Sequence, residues 1–284
     1  MNILQKLSNH IESLFDTKII SIHPLSGGDI NNVYRLDVTD STAVIKLNDA
    51  NQFPGMFATE AIGLQMLAEH SAFTIPKVLF EGEVESQSYL IIEHIDSANK
   101  TADFWKDFGH KLAYLHQQSA PYFGLEKDNY IGSLPQSNSK ETNAVDFYIR
   151  QRIQPQIALA GEKGYDFTKI SSFYKNIETI IPDEASSLIH GDLWGGNYMV
   201  DDQGQPCLID PAVAYVPREM DIAMMHLFGG FDPTVFDIYN EAFPLESGWK
   251  GRIELWQLYY LLVHLNLFGS SYFDSINSII NRYT

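Results

Sequence analysis

The feature that most constrains the fold is a series of Asp and Asn side chains in the second half of the chain. Asp192 and Asn197 lie five residues apart in the segment HGDLWGGN, and Asp210 ends the apolar run CLID thirteen residues further on. Carboxylate and amide oxygens at a strand end are ligands that Mg²⁺ accepts together with phosphates. The series predicts a phosphoryl-transfer site in which Asp192 accepts a proton from an attacking hydroxyl while Asn197 and Asp210 hold the metal. A loop of capping residues and turn glycines is the alternative.

A lysine within an apolar strand points to the same chemistry. Lys46 lies in the run TAVIKL, and Glu60 follows fourteen residues later within a predicted helix at 57–70. A strand lysine paired with a helix glutamate orients the lysine onto phosphates in kinases. The alternative is a surface lysine and a surface glutamate that serve no common site.

A glycine-rich loop precedes this lysine. In SGGDINN at 26–32, Gly27 and Gly28 allow the backbone to approach phosphates closely. The chain has no GxxxxGK(S/T) segment, so this is not a Walker loop. The order of glycine loop, strand lysine, helix glutamate and Asp–Asn–Asp series is that of the protein-kinase-like fold.

Hydrophobic periodicity predicts an α+β chain in two lobes. Strand-like runs with two helices fill the first part, and most later segments have helical spacing. We therefore predict an N-terminal ATP-binding lobe at 1–95, with an antiparallel sheet and helices, and a mainly helical C-terminal lobe at 96–284 that carries the catalytic loop and the acceptor site. The predicted strands are 18–25, 33–38, 42–47, 77–84, 88–95, and a hairpin of 198–202 and 206–211. The predicted helices are 2–16, 57–70, 101–118, 141–160, 168–180 and the segments after 218.

Composition limits the partners of the chain. The formal net charge is −17, and no cluster of Lys and Arg is present. These features argue against nucleic acid and anionic membranes, and they suit either a cationic substrate or simply solubility. The single cysteine, Cys207, is predicted to be a small core residue. The N-terminus lacks signal-peptide features and the apolar run 255–268 is too short for a bilayer, so we expect a cytoplasmic protein. The oligomeric state stays open, with a monomer favoured.

The motifs together resemble a known group of enzymes. HGDLWGGN with LIDPA is similar to the branch of small-molecule kinases that includes the aminoglycoside and choline kinases. From about residue 20 to 272, further segments resemble the fructosamine kinase (ketosamine-3-kinase) family, and Trp194 and NYIGSLPQ separate it from the related kinases. These segments are SGGDIN at 26–31, FGLEKDNYIGSLPQSN at 123–138, RIQPQI at 152–157, DPAVAYVPREMDIAM at 210–224 and HLNLFGSSY at 264–272.

The resemblance implies a role for each matching position. Asp192 would be the proton acceptor, and Asn197 and Asp210 would bind Mg²⁺. Lys46, paired with Glu60, would contact the phosphates of ATP. The other residues expected to bind ATP are Gly27, Gly28, Asn31 and Asn32 in the loop that covers the phosphates, and the hinge residues Glu93, His94 and Ile95, whose main chain would bond adenine.

The same resemblance implies an acceptor. The substrate would be a ketosamine, a sugar joined to an amine, such as a free or protein-bound ribulosamine or fructosamine, phosphorylated on its 3-hydroxyl. Trp194 would either stack on the sugar or wedge the catalytic loop, and Asn129 and Tyr130 would either line the pocket or form a turn. The alternatives are a kinase of another small hydroxyl compound, such as an aminoglycoside, choline or a thiosugar, and an inactive kinase fold that only binds ligands.

Two features near the catalytic segment concern its support and its access. Asp221 is expected to accept backbone hydrogen bonds from the catalytic loop, and His190 is expected to orient that loop. DPA stands where protein kinases have DFG, and only seven residues separate Asp210 from Arg218. A long activation loop is therefore absent, which favours an open pocket for a small acceptor over a peptide-docking surface.

Overall fold

The computed structural model of the protein describes residues 3–25, 30–39 and 41–284. Gly27 and Gly28, which are predicted to approach phosphates, lie outside the described residues. Within the described ranges, no helix is long and apolar enough to cross a membrane.

The N-terminal part forms a five-stranded antiparallel sheet, as predicted. Its runs are rich in Ile, Val and Thr, whose branched side chains suit a pleated, half-buried surface. The strands are β1 (Ile19–Pro24), β2 (Asn32–Val38), β3 (Ser41–Asp49), β4 (Val78–Val84) and β5 (Gln87–Glu93). In space they follow the order β1-β2-β3-β5-β4, which makes β3 the central strand.

Two helices cover the two faces of this sheet. They are α1 (Ile3–Phe15) and α2 (Met56–His70), close to the predicted bounds. Successive side chains of a strand point to opposite faces. On β5, Ile91 therefore joins the core that contains Ile11 of α1, whereas Ile92 joins the core that contains α2.

The core beneath α2 continues past residue 95. Phe57 of α2 and Ile92 belong to the same hydrophobic cluster as Phe108 of α3 (Phe104–His116) and Leu208. Apolar surface is therefore buried without interruption across the predicted lobe boundary. The division at residue 95 stays a prediction.

The rest of the chain is mainly helical. Its further helices are α4 (Ala144–Phe147), α5 (Gln154–Glu162), α6 (Ile170–Ile177), α7 (Glu219–Phe228), α8 (Thr234–Ala242), α9 (Trp249–Phe268) and α10 (Phe273–Arg282), with a π-helical turn at Tyr148–Ile153 and a 3₁₀ turn at Ser270–Tyr272. Helix α9 is buried on most sides, so the apolar run at 255–268 is a core helix, as predicted. The predicted helix at 141–160 is wrong in detail, because the π-helical turn separates α4 from α5.

Three short antiparallel pairs complete the fold. They are β6 (Asn129–Ile131) with β7 (Leu134–Gln136), β8 (Ser187–Ile189) with β11 (Ala214–Val216), and β9 (Tyr198–Val200) with β10 (Pro206–Leu208). The β9–β10 hairpin was predicted; the other two pairs were not, since three-residue strands are too short for an alternating pattern. Cys207 on β10 is fully buried, and burial raises the pKa of its thiol to about 12, as expected of a core residue.

Candidate active site

A cavity of about 880 Å³ lies between the sheet and the helical part. Strands β3 and β5 and helix α2 border it on one side. The segment 192–197, Asp210 and the C-terminal half of α9 border it on the other. The predicted lysine, glutamate and Asp–Asn–Asp series all line this one cavity, although they come from distant parts of the chain.

Lys46 lies at the centre of the nucleotide end of the cavity. It is 5% exposed, and its Nζ donates to Glu60 Oε1 at 2.5 Å and to Asp210 Oδ1. Burial lowers the pKa of the ammonium, but Asp210 and Glu60 more than reverse this and raise it above its usual range. Lys46 is therefore a fixed buried cation. Such a group is stable only where anions surround it, and the site would present it to further anions such as phosphates.

Asp210 reaches Lys46 from the turn that follows β10. Its backbone adopts φ +57°, a left-handed conformation that Asp tolerates better than most residues. Ile209 N donates to Asn197 O at 3.1 Å, which joins the start of this turn to the catalytic segment. The two predicted metal ligands are thereby held on neighbouring backbone segments.

A buried carboxylate holds the backbone of the catalytic segment through hydrogen bonds. His190 N and Gly191 N donate to the two oxygens of Asp221 at 2.8 and 2.9 Å. Asp221 is fully buried and also bonds His116 Nε2 at 3.2 Å. A carboxylate with several donors holds backbone groups rigidly in a low-dielectric interior. Asp221 thus supports the loop in the way the sequence indicated.

His190 orients the loop rather than facing the cavity. Its Nε2 donates to Ile209 O at 2.9 Å, so the proton is on Nε2, and Nδ1 accepts from Asp192 N at 3.3 Å. Burial lowers the pKa of this histidine, which keeps the ring neutral. Both nitrogens are used to hold main-chain groups, so His190 supports Asp192 without acting as a base.

Asp192 is the carboxylate that faces the open space of the cavity. Asn197 Nδ2 donates to Asp192 O at 2.8 Å and to Asp192 Oδ2 at 3.0 Å. Burial raises the pKa of Asp192 to about 7, the hydrogen bond from Asn197 opposes this, and the charges of Asp210 and Asp221 add to the rise. A carboxylate with a pKa near the operating pH is suited to general-base work.

The donor set of the site suits Mg²⁺ that arrives with phosphates. Among the described residues, no group of three or more His, Cys, Asp or Glu side chains is placed to hold a metal by itself. Asn197 and Asp210 supply one amide oxygen and one carboxylate, both hard oxygen ligands. Mg²⁺ is commonly bound by one or two protein oxygens and completed by water and phosphate oxygens.

The inner end of the cavity is an apolar slot. Its walls include Val33, Val44, Ile92, Met199 and Ile209. The predicted hinge residues Glu93, His94 and Ile95 line the slot where β5 ends. Among the described residues, Ile95 has no main-chain hydrogen-bond partner, so its backbone groups are available to a ligand. Asn31 also lines the cavity, whereas Asn32 is exposed on β2 and is not among the lining residues described.

Trp194 lies in the cavity wall and is 40% exposed. A Cβ on Gly196 would lie 2.3 Å from its indole, so only glycine allows the ring to lie across this position. The ring contacts Phe228 edge to face, with centroids 6.4 Å apart. The indole is therefore open to a ligand, an arrangement that favours stacking over wedging.

The predicted acceptor residues Asn129 and Tyr130 line the cavity but are engaged by the protein. Asn129 Nδ2 donates to Val213 O at 3.0 Å, and its Oδ1 accepts from the side-chain amides of Gln136 and Asn138. The Tyr130 hydroxyl donates to Pro54 O at 3.0 Å, which ties the β6–β7 hairpin to the loop before α2. Both side chains have structural partners, and their contact with substrate stays a prediction.

Sequence reasoning missed one wall of the cavity. Beyond Asp192, the wall is built from α7, α9 and the turn after α9. Its side chains are Met224, Phe228, Tyr260, Val263, His264, Leu267, Phe268 and Tyr272. In the sequence, the segment HLNLFGSSY was used only for its family resemblance. The four-residue spacing of His264 and Phe268, which places both on one helix face, could have indicated that they share a wall.

Gly191 provides a test of how strictly the catalytic segment is built. Its φ is +87°, and a Cβ there would lie 2.1 Å from Ala212 O. Gly191→Ala is expected to lower the free energy of unfolding by about 2 to 4 kcal/mol and to lower turnover. The added methyl would clash with Ala212 O, so the backbone at residue 191 or 212 would have to move. Urea denaturation and a kinase assay measure both. Gly161→Ala is the matched control, since that helical position has no atom within 4 Å of the added methyl; it is expected to leave turnover unchanged and to raise the free energy of unfolding by up to about 1 kcal/mol.

The chain was compared with protein families and with proteins of known sequence. The model of the family described as "Fructosamine kinase" matches residues 2–284. The chain is 40% identical to a protein of Enterococcus faecium named "Probable ketoamine kinase", over 92% of this chain and 94% of the other. It is 33% identical to "Protein-ribulosamine 3-kinase, chloroplastic" of Arabidopsis thaliana, over 94% of this chain and 83% of the other.

Solved structures show the same relationship. A crystal structure from Haemophilus somnus 129PT, of a protein assigned as a fructosamine-3-kinase, has a TM-score of 0.87 at 28% identity and covers 98% of this chain and 96% of its own. A spectinomycin phosphotransferase structure has a TM-score of 0.62 at 16% identity, covering 98% and 91%, and shares the fold alone. The predicted α+β, protein-kinase-like fold is confirmed. From residue 2 to residue 284, the chain belongs to the fructosamine kinase family.

Proposed function

We propose that this protein transfers the γ-phosphoryl group of ATP to a sugar hydroxyl, the 3-hydroxyl, of a ketosamine such as a ribulosamine or fructosamine. The observation that carries the proposal is the convergence of Asp192, Asn197 and Asp210 with the Lys46–Glu60 pair on one cavity. The names of the relatives point to ketosamines as acceptors. These residues line a cavity of about 880 Å³, and this setting supports transfer to a small molecule.

The nucleotide end positions ATP and balances its charge. The adenine occupies the apolar slot and bonds the main chain near Ile95. Lys46, held by Glu60, binds the phosphates, and Asn197 and Asp210 would hold Mg²⁺. The metal supplies neutralisation of the charge that develops on the phosphate oxygens. The protein thus contributes mainly position and electrostatics.

The acceptor end handles the proton. The hydroxyl of the sugar lies against the Asp192 carboxylate and gives its proton to it as its oxygen forms a bond to the γ-phosphorus. The bond between that phosphorus and the β–γ bridging oxygen breaks, and ADP leaves. Asn197 keeps Asp192 in place through two hydrogen bonds, so the base has one orientation.

The product explains a role in repair. A phosphate at O3 destabilises the sugar–amine adduct, so that the amine is recovered. The proposal therefore includes removal of sugar adducts from free or protein-bound amines in the cytoplasm, with ATP and Mg²⁺ as requirements. A single chain presents all the residues that the reaction uses, which is consistent with a monomer.

A panel of acceptors tests the proposal. Ribulosamines and fructosamines of lysine are expected to be phosphorylated with ATP and Mg²⁺, whereas choline, aminoglycosides and thiosugars are not. ADP release gives the rate, and ³¹P and ¹³C NMR of the product give the position of the phosphate. Asp192→Asn is the control for contaminating ATPase. Turnover of choline or an aminoglycoside, with none of any ketosamine, would contradict the proposal.

A further inference from the structure

The wall of the cavity beyond Asp192 is aromatic and nearly uncharged. Among the described residues that line the cavity, the charged side chains apart from Asp192 are Lys46, Glu60, Glu93 and Asp210, which belong to the nucleotide end. The opposite wall carries Trp194, Phe228 and Phe268, which are 40%, 39% and 57% exposed. Large apolar side chains that stay exposed together commonly mark a binding surface. One polar side chain, His264, lies among these rings.

The hydrogen bonding of His264 determines which of its nitrogens carries the proton. Its Nδ1 lies 2.8 Å from Tyr260 O. A carbonyl oxygen can only accept, so Nδ1 is the donor and carries the proton. Burial lowers the pKa of this histidine, and the carbonyl of Tyr260 only partly opposes the effect. The ring is therefore neutral, and Nε2 has a free lone pair that can accept one hydrogen bond.

Three aromatic rings hold His264 in position. Phe228 stacks against it with centroids 4.7 Å apart and an interplanar angle of 31°. The ring centroids of Phe268 and Tyr272 each lie 5.3 Å from that of His264. These contacts and the bond to Tyr260 leave the ring little freedom, so Nε2 is a preorganised acceptor.

Helix α9 places His264 on the cavity that Asp192 also lines. Tyr260 and His264 are four residues apart and therefore lie on one side of the helix, about one turn or 6 Å apart along the axis. The hydroxyl of Tyr260 donates to Gly191 O at 3.1 Å, next to Asp192. A group that is only three carbons from the phosphorylated hydroxyl can therefore reach the region between Asp192 and His264.

We propose that His264 Nε2, together with the ring faces of Phe228 and Trp194, is the subsite for the amine nitrogen of the acceptor. The assignment rests on the proposed function. In a ketosamine, C1 carries the amine and C3 the reacting hydroxyl, so the two polar groups match Asp192 and His264. The N–H of the amine donates to Nε2, and the positive charge lies against the aromatic faces. The substituent on the amine extends out of the cavity past the exposed Phe268.

This subsite selects one cation and rejects several. A single ammonium finds one acceptor and aromatic faces. A polyamine acceptor would place further charges against an apolar wall where no described carboxylate lies, and each buried unpaired charge is costly. Discrimination against polycationic acceptors therefore follows from the wall itself.

Kinetics of His264→Leu and His264→Gln test the subsite. The acceptors are a fructosamine and the matching free ketose, which has the same hydroxyls but no amine and is measured as a substrate or as a competitive inhibitor. His264→Leu is expected to raise KM for the ketosamine about 10- to 100-fold, which is the loss of one hydrogen bond to a charged group. The constants for ATP and for the ketose are expected to stay within about threefold, and His264→Gln is expected to recover part of the loss because its amide oxygen can accept.

His226→Leu is the matched control. His226 is an exposed histidine that stacks on Phe236 with ring centroids 3.9 Å apart, and it is not among the described residues that line the cavity, so His226→Leu is expected to leave both acceptors unaffected. If His264→Leu does not fold by circular dichroism, Phe228→Leu replaces it, with a smaller rise in KM that is again confined to the amine-bearing acceptor.

The possible results distinguish failure of the proposed subsite from failure of the proposed function. An equal change in KM for ketosamine and ketose, or no change for either, would overturn the subsite while ketosamine turnover by the wild-type enzyme still supports the function. A wild-type enzyme that turns over no ketosamine would overturn the function, and the subsite with it.

Discussion

Asp192→Asn is expected to lower kcat by about 10²- to 10⁴-fold, the usual contribution of a positioned general base. The substitution keeps the shape of the side chain and an oxygen for Asn197 Nδ2, but it removes the group that takes the proton. KM for ATP is expected to change little, because Lys46, Glu60 and Asp210 hold the nucleotide end. Steady-state kinetics with a ketosamine, together with ATP binding by calorimetry, measure both quantities. An unchanged kcat would remove Asp192 from the mechanism.

The stability of the same variant separates loss of chemistry from loss of fold. The pKa of Asp192 is about 7 in the folded protein, above its usual value, because of burial. A carboxyl group with a raised folded pKa costs stability as the pH rises from its unfolded pKa through its folded one. At pH 8 and without ligands, Asp192→Asn is therefore expected to raise the free energy of unfolding by about 1 to 4 kcal/mol. A variant that is both more stable and inactive would identify a residue kept for function.

Asp210→Asn is the second change with a large expected effect. It removes the carboxylate predicted to hold Mg²⁺ and one of the two anions around Lys46. We expect kcat/KM to fall about 10²- to 10³-fold, as when a preorganised charge is removed from a transition state. The Mg²⁺ concentration for half-maximal rate is also expected to rise, because an amide is a weaker ligand than a carboxylate. Rates measured over a series of Mg²⁺ concentrations show both effects.

Asp202→Asn is the matched control for Asp210. Asp202 is an exposed carboxylate on the same hairpin, bonded only to the side chain of its neighbour Gln203 among the described residues. It is expected to change neither the rate nor the Mg²⁺ dependence. If Asp210→Asn shows the Mg²⁺ dependence of the wild-type enzyme, Asp210 is not a metal ligand.

Asp210 and Asp192 do different work because their surroundings differ. Asp210 accepts a hydrogen bond from the buried ammonium of Lys46. Asp192 has only an amide partner, and the neighbouring carboxylates disfavour its charge. The raised pKa of Asp192, about 7, suits a base, whereas Asp210 lies against a cation and is the proposed metal ligand. A difference of this kind between paired acids is how many enzymes divide acid–base and electrostatic roles.

Several parts of the site were predictable from local sequence. The spacing of Lys46 and Glu60 indicated a strand lysine and a helix glutamate, and the two side chains lie 2.5 Å apart. The five strands of the sheet could be located because each has six or more residues, which is long enough for a strand-like run bounded by turn residues. Helix α2 was found for the same reason, since its apolar side chains recur at helical spacing. These features depend on residues that are close in the sequence, so a local sequence pattern is enough to predict them.

Other parts depended on contacts between distant segments. Lys46 and Asp210 are 164 residues apart, and no local pattern indicates that their side chains meet. The β8–β11 pair is three residues long on each side, and tertiary contacts alone form it. The amide of Asn129 donates to Val213 O, and no local pattern indicates this bond between distant segments. Each of these contacts depends on how helices and strands pack together, and the secondary-structure propensity of a segment does not describe that packing.

The sequence by itself determined the fold family, the order of the phosphate-binding and catalytic residues and the identity of Asp192 as the base to test. Short motifs carry this information, because backbone geometry at Gly191 and chemistry at Asp192 and Asn197 each demand particular residue types. Only the tertiary structure revealed the aromatic wall that we propose faces the acceptor. His264 and Phe228 lie on separate helices, and only the packing of α7 against α9 brings them together on the cavity that Asp192 lines. Specificity is decided by such contacts, since a binding wall is built from side chains that share a surface rather than a segment.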